Sequence, residues 1–237
     1  MQLKYKRILL KLSGEALAKG KTEGVVNDEF VAKVAAVIRR LIAEGGEVAV
    51  IVGAGNIWRG RQGVEMDRTR GDYMGMLATA INALALQDAF IAAGLDARVM
   101  SAINMPEVAE YYTRDAAVRH LEAGRVVIFA AGLGRPYFST DTAGALRAVE
   151  IGADAILMAK NVGGVYTADP NADPTAKLLE KVTYSEVLEK KLRVVDLTSV
   201  VLCMDNNMPT LVFGLDDPEN IYRAASGERI GTAVTAE

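Results

Sequence analysis

The 237-residue chain has one cysteine, one histidine and one tryptophan, and neither sign of charge dominates it. A lone thiol, Cys203, closes no internal disulfide, so a reducing compartment, the cytoplasm, is expected. A lone histidine, His120, argues against multi-histidine metal centres and leaves Cys203 without a partner for nucleophilic catalysis. Lysine plus arginine number 27 against 30 aspartate plus glutamate, a formal net charge of -3. Non-specific nucleic-acid binding needs a basic surface, so no nucleic-acid partner is expected. The longest charge-free apolar stretch, Tyr73 to Gln87, is interrupted by Thr79 and Asn82. It falls short of the roughly 20 residues of a membrane span, and no membrane partner is expected. Residues 1–11 run straight into a strand-like segment without the apolar core and cleavage site of a signal peptide.

What is present is the balance of a globular protein, 51% hydrophobic and 24% charged. Short buried-strand runs occur at Ile8 to Leu12, Glu47 to Val52, Ala97 to Met100, Val126 to Ala130, Ala155 to Ala159 and Thr210 to Phe213. Between them lie helical patterns at Asp28 to Ala43, Tyr73 to Ala93, Thr113 to Glu122 and Thr140 to Gly152, and Thr183 with Glu186 has the spacing of a capping box. Strands apolar on successive positions, alternating with helices, predict an α/β fold with a mostly parallel sheet covered on both faces. The length suits one large domain or two packed lobes divided near Ala153.

In such sheets, ligands bind beyond the carboxyl ends of the strands. Three glycine-bearing loops are predicted there: Ser13-Gly14, Gly53-Ala54-Gly55-Asn56 and Gly132-Leu133-Gly134-Arg135-Pro136. Two familiar motifs fail on spacing. Gly20-Lys21-Thr22 has Glu15 where a Walker A loop needs glycine, and Gly53-x-Gly55 has Trp58 where a dinucleotide fingerprint needs a small residue. Lys11 before Ser13-Gly14 can bring an ammonium and backbone N–H groups onto one phosphate, or stand as a solvated lysine. Arg59 and Arg61 can grip phosphate oxygens or form a surface pair. Ser139 and Thr140 open a helix and suit a phosphate or a cap; Asp141 suits a metal or the orientation of a lysine. Trp58 and Cys203 read as packing residues, and Met74, Met76 and Leu77 as core or subunit contact.

Taken together, Lys11-Leu12-Ser13-Gly14-Glu15-Ala16-Leu17, Gly53-Ala54-Gly55-Asn56 with Arg59-Gly60, Gly71-Asp72-Tyr73-Met74-Gly75-Met76-Leu77 and Pro136-Tyr137-Phe138-Ser139-Thr140-Asp141 stand in one order. Thr167-Ala168-Asp169-Pro170 and Tyr184-Ser185-Glu186-Val187-Leu188 follow. On these segments the chain resembles the bacterial uridylate kinases of the amino acid kinase superfamily over essentially its whole length. The resemblance implies a three-layer α/β/α sandwich forming a single domain over 1–237. Residues to about 153 would serve mainly the UMP site, and those from about 154 mainly the ATP site. It also implies transfer of the ATP γ-phosphoryl group to UMP in pyrimidine nucleotide synthesis, Mg2+ with the ATP, and a cytoplasmic homohexamer activated by GTP and inhibited by UTP.

Carried over by position, Lys11, Leu12, Ser13, Gly14, Gly55, Arg59, Asn161, Tyr166 and Asp169 match ATP contacts. Ala54, Asp72, Leu133, Gly134, Arg135, Pro136, Tyr137, Phe138, Ser139 and Thr140 match the UMP site, with Asp72 on the ribose hydroxyls. Lys11, Arg59 and Asp141 are the catalytic expectations, Lys160 stands beside Asn161, and no protein ligand to a metal is assigned. The sequence departs from the family at Ala54, where glycine is usual and a positive φ would strain alanine. Gly163 replaces an aspartate, and Arg135 a smaller neutral residue. Arg98 and Arg125 match basic positions near an inter-subunit effector site, whereas Gln87 and Ile91 do not. Phosphoryl transfer rests on positioning and charge stabilisation, which fits a chain without a covalent nucleophile pair. Three other readings stand beside it: an acylphosphate-forming kinase, a nucleotide sensor without turnover, and a nicotinamide-dependent oxidoreductase.

Overall fold

The computed structural model describes residues 3–20, 24–58, 65–168, 170, 172–192 and 195–236. In chain order the elements are β1 (Arg7–Leu12), α1 (Gly14–Ala18), α2 (Asp28–Ala43), β2 (Glu47–Val52), α3 (Arg68–Ala92), β3 (Ala97–Ser101), β4 (Glu110–Tyr111), α4 (Arg114–Glu122) and β5 (Val126–Ala130). Then come α5 (Thr140–Ile151), β6 (Ala155–Lys160), β7 (Val165–Tyr166), β8 (Leu178–Leu179), β9 (Lys181–Thr183), α6 (Tyr184–Glu189), α7 (Leu197–Asp205), β10 (Thr210–Gly214), α8 (Glu219–Ala225) and β11 (Thr232–Thr235).

Local chemistry sets the helix ends. The side chains of Asn27, Asp67, Thr113, Ser139 and Asp196 each accept a hydrogen bond from a backbone N–H three residues on, which satisfies an orphan donor of the first turn. Thr183 and Glu186 form the reciprocal capping box. Gly152 ends α5 in the left-handed region, at φ 64°, where a side chain would be strained.

The strands form one sheet in the order β4-β3-β5-β2-β1-β6-β10-β11-β9, and β7 with β8 forms a separate hairpin. Every neighbouring pair in the large sheet is parallel except β10 with β11. Strand alternation builds two cores. Ile8, Leu10, Leu12, Val48, Val50, Val52, Leu157 and Phe213 face α2, α3 and α8. Leu9, Ala49, Ile51, Phe129, Ile156, Met158 and Val212 face α4, α5 and α7. This is the three-layer α/β/α arrangement. The division expected near Ala153 is not a break in the sheet, since β1 pairs with both β2 and β6.

Helix α3 starts five residues earlier than the apolar pattern suggests, because Asp67 caps it there. Its length and composition would suffice to cross a bilayer. In the fold, Ala80, Ala83, Leu86 and Phe90 instead pack into the core, and Asn82 is fully buried and hydrogen-bonded.

Candidate functional site

Chain order and sheet order part company at β1: β2, β3 and β5 lie to one side, β6 and β10 to the other. The crevice at such a switch point, outside the carboxyl ends of the strands, is where an open α/β sheet binds ligands. Lys11 is the last residue but one of β1 at that crevice, and Lys160 ends β6.

Between them lies Asp141 in the first turn of α5. Its Oδ1 is 2.9 Å from Lys11 Nζ, and its Oδ2 is 3.0 Å from Lys160 Nζ. The three side chains are only 12%, 17% and 14% exposed for Lys11, Lys160 and Asp141. Burial works against ionisation of Asp141, but the two ammonium groups outweigh it and hold the carboxyl below its ordinary range. Burial lowers the pKa of Lys160; Asp141 counters that and Lys11 adds to it. One carboxylate thus bridges two ammonium groups beside the N-terminus of α5. Such a place attracts an anion.

The glycine loop after β2 closes one side. Gly14, at the start of α1, lies against it so tightly that a Cβ there would come 2.4 Å from the Gly53 carbonyl oxygen and 2.5 Å from Asn56 Oδ1. A Cβ on Gly55 would meet Glu15 Oε1 at 2.7 Å, and Glu15 also accepts from Asn161 Nδ2 at 3.5 Å. Ser13 occupies the cap position of α1 without a side-chain cap bond, and Leu12 is buried in the core, so that only its backbone can face a ligand. Ala54 is not among the residues with positive φ; its carbonyl accepts from Ile57 and Trp58 N–H in a tight turn. The strain expected there is therefore absent. It sits instead at Ala131 and Tyr137, with φ of 60° and 72°.

Helix α3 pins both loops of a second pocket. Asn82 Nδ2 donates to the Gly53 carbonyl at 2.8 Å, and the Asn56 and Asn82 amides bond each other reciprocally. Trp58 Nε1 donates to the Gly71 carbonyl, which ties the glycine loop to α3. Thr79 Oγ1 accepts from Ala131 N–H, and Asp72 Oδ2 from Tyr137 N–H. The result is a cavity of about 290 Å³ lined by Ala54, Gly55, Trp58, Asp72, Thr79, Leu133, Arg135, Phe138, Ser139 and Thr140 among others. Asp72 is the one acidic and Arg135 the one basic group among these walls, so the Asp72 side suits hydroxyl or N–H donors. Gly134 and Arg135 face a neighbouring cleft of about 840 Å³ beside Tyr73 and Leu77.

The α5 end is tied to α7. Asp196 accepts from Ser139 Oγ, from Thr142 Oγ1 at 2.9 Å and from Ser199 N–H, so one carboxylate caps α7 and holds the start of α5. Sequence reasoning missed Asp196, Asn82 and Thr79; only the Asp196-x-x-Ser199 spacing gave a local sign. Asn161 and Tyr166 lie on the β6 side, Tyr166 paired with Leu178 in the hairpin. Arg59, Arg61 and Asp169 lie outside the described residues.

The residues read as structural stay so. Cys203 is buried, and burial pushes its thiol up, away from the thiolate. His120 lies 2.9 Å from Glu110 and 3.2 Å from Arg125, which pairs with Asp96; Asp96 also pairs with Arg98. Arg125 and Asp96 precede β5 and β3, so this cluster is at the opposite end of the strands from Lys11 and Lys160.

The model of the amino acid kinase family matches residues 6–214. A UMP kinase from Bacillus anthracis is 38% identical, with a TM-score of 0.93, over 98% of this chain and 97% of that one. A UMP kinase from Ureaplasma parvum is 35% identical, with a TM-score of 0.91, over 98% and 100%. A uridylate kinase from Archaeoglobus fulgidus is 28% identical, with a TM-score of 0.72, over 96% and 99%.

Proposed function

The chain belongs to the amino acid kinase family, and from that premise we propose that it is a UMP kinase of pyrimidine metabolism. A phosphate oxygen of UMP attacks the γ-phosphorus of ATP, the bond to the β,γ-bridging oxygen breaks, and UDP and ADP leave. The observation that carries this reading is the Lys11-Asp141-Lys160 bridge at the sheet's switch point, beside a cavity whose one acidic wall residue is Asp72.

The acceptor is a phosphate monoester with its second pKa near ~6, so it is already a competent nucleophile at neutral pH. No general base is needed, and Asp141, held ionised between two lysines, is not one. Its work is to aim Lys11 and Lys160 at the transferred group, whose equatorial oxygens carry the charge of the transition state. The glycine contacts of Gly14, Gly53 and Gly55 let backbone reach phosphates directly. Arg59 and Asp169 are proposed as further ATP contacts, with Leu12, Ser13, Asn161 and Tyr166 beside them. The UMP site takes Asp72 and the 133–140 loop. In this scheme residues to about 153 serve UMP and those from about 154 serve ATP.

Magnesium enters as the ATP complex. Asp141 is occupied by two ammonium groups, and no set of three acidic, histidine or cysteine side chains converges among the described residues. The described residues therefore do not fit a resident metal cage.

Assembly into a cytoplasmic homohexamer belongs to the same reading, and the outer face of α3 supports it. Arg70, Met74, Leu77, Ile81, Leu84, Asp88 and Ile91 are exposed at alternating four- and three-residue spacings. That is the spacing of a coiled-coil seam. It is symmetric about Thr79, so a second copy packed antiparallel sets Met74 against Leu84, Leu77 against Ile81 and Arg70 against Asp88. GTP activation through the Arg98 and Arg125 region, and UTP inhibition through the uridine pocket, complete the proposal.

The test is ADP release with ATP and magnesium across UMP, CMP, deoxy-UMP, glutamate and carbamate, with Lys11→Ala as control. Turnover on UMP that the variant abolishes supports the reading. Turnover on a carboxylate or carbamate overturns the substrate, and ATP binding without turnover overturns the activity.

A further inference from the structure

The geometry points to Arg68 as the residue that positions Asp72 and so sets discrimination between a ribose and a deoxyribose acceptor. Arg68 is in the first turn of α3, outside the cavity walls, and its Nε lies 2.9 Å from both carboxylate oxygens of Asp72. Asp72 Oδ2 also accepts the Tyr137 N–H at 2.8 Å. The Arg68 guanidinium stands 5.4 Å from the Tyr137 ring. Three residues from two elements thus form a clasp at one wall residue of the cavity, Asp72: one end is anchored in α3, the other in a loop whose Tyr137 is held in the left-handed region.

A bulky residue at positive φ persists only where its surroundings over-determine it. The described bond from the Tyr137 peptide runs to Asp72, and Asp72 is oriented by Arg68. The Asp72 side chain is 16% exposed against 43% for Arg68, and Asp72 is among the cavity's lining residues while Arg68 is not. Resting on the UMP-kinase reading, the carboxylate accepts hydrogen bonds from the sugar hydroxyls. A carboxylate free to rotate satisfies itself with water and loses the distinction between one hydroxyl and two. Fixed by Arg68 and Tyr137, it presents its remaining lone pairs in one direction. Leaving a fixed, partly buried polar group unpaired is what makes a site reject the analogue that lacks a hydroxyl. Arg68 acts through Asp72 and is a positioning residue. The competing description is an exposed i,i+4 pair that contributes almost nothing to the site.

The test compares wild type, Arg68→Gln and Arg68→Lys with UMP and deoxy-UMP at saturating ATP, alongside thermal stability. The inference predicts that Arg68→Gln raises KM for UMP roughly tenfold, the loss expected for a hydrogen bond to a charged group. It predicts kcat within about twofold, an unchanged KM for ATP, and a smaller ratio of kcat/KM between UMP and deoxy-UMP. Arg68→Lys should restore only part of that ratio, because an ammonium lacks the planar Nε contact. Both variants should melt with the wild type. An unchanged ratio in a wild-type-stable Arg68→Gln overturns the inference while leaving the UMP-kinase reading intact. Wild-type protein that fails to phosphorylate UMP overturns that reading instead.

Discussion

Replacing Asp141 with asparagine keeps the shape of the side chain and removes the charge that Lys11 and Lys160 share. Removing one partner from a buried ion pair costs about 3–5 kcal/mol. The two lysines retain slight access to water, 12% and 17%, which places the expected loss at the lower end. For a domain of this size each kcal/mol shifts Tm by about 2–4 °C, so the ligand-free variant should melt roughly 6–12 °C below wild type. The ATP phosphates supply the missing negative charge, and the gap should narrow as ATP is titrated in. The lysines nevertheless lose their aim, and kcat should fall by about 100-fold or more, the order found on losing one transition-state charge contact. Thermal melting with and without ATP, with ADP release in parallel, measures all three quantities. A variant that melts with wild type in the absence of ligand, or whose deficit persists undiminished at saturating ATP, refutes the view that the carboxylate serves to hold two cations apart for an anion.

Gly14→Ala places a Cβ 2.4 Å from the Gly53 carbonyl oxygen, forcing α1 from the glycine loop. Overpacking of this kind costs about 1–3 kcal/mol and should depress kcat, whereas Gly75→Ala, with its nearest atom 3.7 Å away, should match wild type in melting. Acid stability should follow Asp141: its folded pKa lies below the ordinary 3.8, so its contribution is complete above that value and is lost as pH falls through the lowered one. Melting curves against pH should therefore be flatter on the acid side for Asp141→Asn. Burial holds Lys160 below the ordinary 10.5, so kcat/KM for ATP should fall on the alkaline side earlier than a free lysine dictates, and Lys160→Arg should move that limb upward. Ile81→Glu puts a charge at the centre of the α3 seam and should reduce the assembly's mass in sedimentation; unchanged mass rejects that face as a subunit contact.

The six main strands were legible because each is apolar on consecutive positions, and the observed spans differ from expectation by at most one residue at an end. Thr183 with Glu186 announced its own capping box. The two-residue β4, β7 and β8 were not legible, since so short a run has no periodicity, and β11 gave no sign that it would run antiparallel to β10. At the site, Asp72 came from the family resemblance alone, whereas Lys11 and Asp141 were visible as residue types at strand and helix ends. Their connections were not: the Asn56–Asn82 pair spans 26 residues and Lys11–Asp141 spans 130, distances at which local pattern carries nothing. The strain expected at Ala54 failed because a tight turn with ordinary φ replaces the left-handed one, and the strain appears at Ala131 and Tyr137 instead.

Helix α3 is written on both sides. Asp72, Thr79 and Asn82 face inward to hold the two acceptor loops, while Leu77, Ile81, Leu84 and Ile91 face out. Each residue advances the helix by about 100°. A single deletion near Gly75 would therefore swing every later side chain a quarter-turn or more, carrying Thr79 and Asn82 off their loops and Ile81 and Leu84 off the outer seam in one stroke. Point substitutions can be absorbed one face at a time; a change in length cannot. The 25 residues of this helix should accordingly be the part of the chain least able to gain or lose a residue.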